Sequence, residues 1–110
     1  MAAQWGNKDG LFDSGFLVVP HKFLRQYSKL RPAPLTANEA LFVLHLMSFK
    51  WGEAAPYPTY GRIAGYMGVS DKMVRRYAQS LQRKGYLRRQ FRTMSTNKFD
   101  LTDLFNALPD

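Results

Sequence analysis

Thr59-Tyr60-Gly61-Arg62-Ile63-Ala64-Gly65-Tyr66-Met67-Gly68-Val69-Ser70-Asp71-Lys72-Met73-Val74-Arg75-Arg76-Tyr77 is the stretch on which the fold turns. Thr59 and Ser70 stand where N-caps stand, each offering an oxygen to an amide left over at a helix start. They predict one helix over 60–67 and a second over 71–84. Gly68 is placed to take the left-handed conformation that ends the first. With only about three residues between them, the helices must cross steeply. Ile63, Ala64, Met67, Val69, Val74 and Tyr77 supply the small and apolar side chains for that crossing. Ala64 lies four residues before Gly68, where a larger side chain would obstruct the second helix.

The second helix has two unlike faces. With Val74 at zero and about 100° per residue, Ala78, Leu81 and Tyr77 fall within about 60° and form a stripe to bury. Lys72, Arg75, Arg76, Gln79 and Arg83 fall between about 100° and 200°, four cations and an amide with no acid among them. A helix that is merely solvated usually mixes signs to gain Glu–Lys pairs. Such a helix fits the DNA major groove, where Arg binds guanine O6/N7 and Gln binds adenine N6/N7.

Charge along the chain agrees with this face. Residues 59–98 carry ten basic side chains against the single Asp71, a net +9, while the remainder holds six bases and seven acids. A basic block inside a nearly neutral chain suggests a polyanion partner. The 110 residues suit one domain with one core, read as a tail over 1–14 and a domain over 15–110. The absence of cysteine excludes disulfides, thiolate zinc sites and a thiol nucleophile. The apolar runs 16–20 and 41–44 are far shorter than the ~20 residues a membrane span needs. A cytoplasmic protein, nucleoid-associated if bacterial, is the expectation.

Upstream, Phe16-Leu17-Val18-Val19 reads as a short extended segment, and Pro20 suits a first helical turn over 21–30. Thr36-Ala37-Asn38-Glu39 fits a capping box opening a helix over about 37–49. That helix is apolar nearly all round and therefore expected at the centre. Gly52, Pro56 and Pro58 stop it. Downstream of Gly85, residues 86–91 and 98–101 alternate in the two-residue period of a half-buried hairpin. Thr93–Asn97 is a polar turn between them, and a Thr102-capped turn with Leu101, Leu104, Phe105 and Leu108 closes the chain. Gly61 and Gly65 each cost a helix about 1 kcal/mol relative to Ala. Either they permit a close backbone approach or the first helix is shorter than 60–67.

From Pro58 through Tyr77, with Leu81 and Lys84-Gly85-Tyr86-Leu87, the chain resembles the winged helix-turn-helix domains of bacterial, phage and plasmid regulators and replication initiators. The shared pattern is a Pro-Thr start, Ala-x-x-x-Gly-Val-Ser, an Arg-bearing helix and Leu-x-x-x-Gly-x-Leu. The resemblance implies a mainly α fold with a small β-hairpin: a three-helix core, a wing and an extra N-terminal helix. It implies that Lys72, Arg75, Arg76 and Gln79 read bases in double-stranded DNA. Phosphate contacts are then expected from Thr59, Tyr60, Ser70, Arg83, Arg89, Arg92, Thr93 and Lys98.

No catalytic constellation, metal site or cofactor loop is legible, so no enzyme activity, metal or cofactor is expected. His21 and His45 lack metal-ligand neighbours, and His45 reads as a core or boundary side chain; Asp13 and Ser14 form no nucleophile set with either. Glu39 and Glu53 read as a cap and a loop residue. Two other functions use the same residues. A protein-interaction or oligomerisation domain would associate through the N-terminal tail or the C-terminal helix, as a homodimer for example. A single-stranded nucleic-acid binder would stack bases on Trp51 or Tyr57.

Overall fold

The computed structural model describes residues 10, 11, 13, 15–50, 59–91 and 97–109, without the side chains at 50, 89–91, 97 and 98. Among these residues, five α-helices and one pair of strands follow in the order α1 (His21–Gln26), α2 (Ala37–Lys50), α3 (Tyr60–Met67), α4 (Asp71–Arg83), β1 (Arg88–Phe91), β2 (Asn97–Asp100) and α5 (Thr102–Ala107). The expectations at Trp51, Gly52, Glu53, Pro56, Tyr57, Pro58, Arg92 and Thr93, and at Ser14 and nearly all of the N-terminal tail, lie outside the described residues.

The helix starts follow their caps. The Thr36 amide donates to Glu39 Oε1 at 2.8 Å while the Glu39 amide donates to Thr36 Oγ1 at 3.1 Å, so the capping box of α2 is closed on both sides. Thr59 Oγ1 accepts from the Arg62 amide and Ser70 Oγ from the Met73 amide, each at 3.2 Å. Gly68 ends α3 in the left-handed conformation at φ 71°, its amide bonded to the Ala64 carbonyl. Both helices of the crossing therefore begin and end where the sequence set them, α4 stopping one residue early at Arg83.

One hydrophobic cluster joins the helices. Phe23 of α1, Phe42 and Val43 of α2, Ile63 of α3, Val74 and Leu81 of α4 and Leu104 of α5 are fully buried. A buried side chain of this kind contributes roughly 1.5–3 kcal/mol by leaving water. The stripe expected on α4 is the one that is buried: Val74, Tyr77, Ala78 and Leu81. α2 is central, as its composition suggests, yet not covered all round, since Leu41 stays 42% exposed.

Three elements differ from the sequence reading. The N-terminal helix ends at Gln26 and tightens into a 3-10 turn over Tyr27–Lys29, closing before Pro32. The hairpin begins at Arg88, because Tyr86 and Leu87 are both buried and do not alternate. Tyr86 donates its hydroxyl to the Ala33 carbonyl at 2.5 Å and accepts from the Ala33 amide at 3.2 Å. That anchorage draws both residues into the core ahead of the strand. Thr102 does not cap α5: its amide and hydroxyl both donate to Asp100 Oδ1, at 2.9 and 2.6 Å. An ionised aspartate two residues earlier is the stronger acceptor for the amide at the helix start. β1 and β2 pair antiparallel, with Arg88 opposite Asp100 and Phe91 opposite Asn97.

Candidate nucleic-acid interface

α4 is held by its apolar stripe so that its other face meets solvent. Lys72, Arg75, Arg76, Gln79 and Arg83 are all exposed. Among the described residues the only ion pairs are Lys84–Glu39 and Arg88–Asp103, so no carboxylate neutralises these four cations. Arg76, Gln79 and Arg83 also line a shallow groove whose far wall is the first turn of α2, at Thr36 and Glu39. The four side chains expected on bases therefore share one open surface, with Arg83 a turn further along it.

The helix starts flanking this surface carry the expected hydroxyls. Thr59 and Ser70 are exposed, and each uses an oxygen lone pair for its cap while its hydroxyl proton stays free to donate. Tyr60 is placed differently. It is half-buried, its ring 5.8 Å from that of Phe99, and so ties the start of α3 to β2. Arg89 and Lys98 lie diagonally across the hairpin, one register step apart, since Arg89 pairs with Phe99 and Gln90 with Lys98.

The glycines of α3 do not shorten it, since the helix runs over its expected residues. A Cβ at Gly61 would stand 3.4 Å from Asp71 Oδ2, an ordinary van der Waals contact with the start of α4. A Cβ at Gly65 would meet nothing within 4 Å, and the helix runs its expected length regardless.

Sequence reasoning missed one feature of the site. Lys84, counted with the basic block, is turned inward: its Nζ donates to Glu39 Oε1 at 2.7 Å and to the Pro34 carbonyl at 2.9 Å. Burial alone would raise the Glu39 pKa; hydrogen bonds from Lys84, Ser80 and Thr36, with the charge of Lys84, more than offset it and leave the carboxyl below its ordinary value. Partners 45 residues apart leave no spacing signal; the only hint is a capping glutamate opening an apolar helix. Arg88 is likewise paired, its Nε donating to Asp103 at 2.7 Å. His45 stacks on Tyr66, ring centroids 6.3 Å apart, and burial pushes its pKa down. The described residues contain no cluster of His, Cys, Asp or Glu fit to hold a metal ion. No described helix is long and apolar enough to cross a membrane.

A family described as a helix-turn-helix domain matches residues 33–87. The chain belongs to that helix-turn-helix family. The match runs from the residues before α2 through Leu87, so it takes in the capping box, the crossing and the whole cationic face, and ends just before β1. Membership in a helix-turn-helix family points to DNA as the partner. No curated protein and no solved structure matches the chain.

Proposed function

We propose that this helix-turn-helix protein binds double-stranded DNA sequence-specifically, with α4 in the major groove and the β1–β2 hairpin beside it as a wing. The observation that carries the reading is the face of α4: four exposed cations and a glutamine, with no carboxylate paired with them among the described residues, on a helix fixed by four buried side chains. Lys72, Arg75, Arg76 and Gln79 read base edges. Thr59, Tyr60, Ser70, Arg83, Arg89, Arg92, Thr93 and Lys98 hold phosphates, the hydroxyls at helix starts where the dipole favours an anion. The chain serves as a transcription regulator or as the DNA-binding module of a replication initiator.

Selection from random duplexes, with single-stranded competitors present, tests this directly. One duplex sequence is expected to be enriched, and log K should fall against log[salt] with a slope near −5 for roughly six neutralised phosphates. Arg76→Ala should cost about 1–3 kcal/mol and relax the preference at one position, while Arg92→Ala should weaken all sequences alike. Preference for unpaired competitors, or equal effects of the two substitutions, would defeat the assignment.

A further inference from the structure

Outside the basic block, the charge balance hides a second concentration of positive charge. Between Asp13 and Glu39 there is no acid, and Lys22, Arg25, Lys29 and Arg31 fall in that interval. All four are exposed, and none is ion-paired among the described residues. Phe23 holds α1 from the other side with 0% exposure. Lys22 and Arg25 stand one turn apart on α1, about 5–6 Å between their Cβ atoms, and Lys29 and Arg31 follow at the end of and just after the 3-10 turn that continues it. Like charges at that spacing destabilise a helix by a few tenths of a kcal/mol per pair. A six-residue helix has little stability of its own to offset such repulsion.

The row is also fastened to the end of α4. The Leu35 amide donates to the Tyr27 carbonyl at 2.8 Å, Tyr86 is bonded to Ala33, and Lys84 reaches Pro34. The segment bearing Arg31 is thus held against the C-terminal end of the helix that carries Arg76 and Arg83. Six helical residues are too few to lay an apolar face into a bilayer, which disfavours a lipid surface as the partner of this row.

We infer that Lys22, Arg25, Lys29 and Arg31 form a second phosphate-binding ridge, which engages the backbone of the same duplex beyond the segment read by α4. The inference rests on the DNA-binding reading above and extends its footprint to one side. The ridge neutralises phosphates without reading bases, so it lends affinity and leaves sequence preference to α4.

The test compares the unaltered chain, the variant K22Q/R25Q/K29Q/R31Q and R76A on the duplex recovered by selection and on a 40-base-pair duplex of mixed sequence. The quadruple variant should flatten the salt slope by about 3.6 on both duplexes, at roughly 0.9 for each of four phosphates, while keeping the ratio of the two affinities. Hydroxyl-radical protection should shrink at one end of the footprint only. Because the four side chains are exposed and repel one another, the variant should melt at the same temperature or higher. An unchanged slope and footprint overturn the ridge. So does unchanged DNA binding combined with lost adsorption to phosphatidylserine vesicles, which would make the row a lipid contact. An R76A variant that keeps full sequence preference, beside a quadruple variant that flattens the slope, refutes the role of α4 and upholds the ridge. Failure of the unaltered chain to bind either duplex removes both.

Discussion

Glu39 does more than its place in the capping box requires. Its Oε1 takes the Thr36 amide and the Lys84 ammonium together, with the side chain 5% exposed. Glu39→Gln keeps an acceptor for the amide but leaves Lys84, itself only 21% exposed, without its counter-charge. The expected loss is about 2 kcal/mol in urea unfolding at pH 7, since a charge left unpaired in a desolvated place is costly. The pH dependence has a fixed sign. A carboxyl whose folded pKa lies below its unfolded value stabilises fully above about 4.5 and loses that stabilisation as pH falls through the folded value. The difference between the unaltered chain and Glu39→Gln should therefore shrink on acidification below 4.5. A difference that stays constant down to pH 3 would mean that the charge on Glu39 contributes nothing.

At the scale of elements, local chemistry decided what the sequence could reveal. Caps act over three or four residues, so Thr36, Thr59 and Ser70 announced the starts of α2, α3 and α4, and Gly68 announced the turn. The buried stripe of α4 was equally plain, since 3.6-residue periodicity is a property of the chain alone. What stayed hidden depends on neighbours distant in sequence. Tyr86 is captured by Ala33 and Lys84 by Glu39, and each capture moves a residue out of the role its surroundings suggest. The glycines of α3 permit a clean experiment. Gly65 has open space where a Cβ would go, so Gly65→Ala should stabilise by about 1 kcal/mol through helix propensity. Gly68 sits at φ 71°, where Ala is strained, so Gly68→Ala should destabilise by roughly 1–2 kcal/mol. Thermal melts of the two variants should move in opposite directions.

For the molecule as a whole, α5 is part of the core and not a free arm. Leu104 is fully buried, and Phe105 meets Phe23 of α1 edge-on with ring centroids 6.4 Å apart. A six-residue helix has no stability of its own, so its order comes from this packing. Leu104→Ala is expected to cost 2–5 kcal/mol in denaturant unfolding and to leave the sedimentation of the folded protein unchanged. A change in sedimentation with stability preserved would make α5 an assembly surface instead. The contact between Lys84 and Glu39 carries a consequence at this scale too. It joins the origin of one helix to the terminus of another across 45 residues, so neither partner can drift alone. Relatives that have exchanged the acid for a neutral residue should have exchanged the base in tandem, and a lone change at either address should tilt α4 against its scaffold.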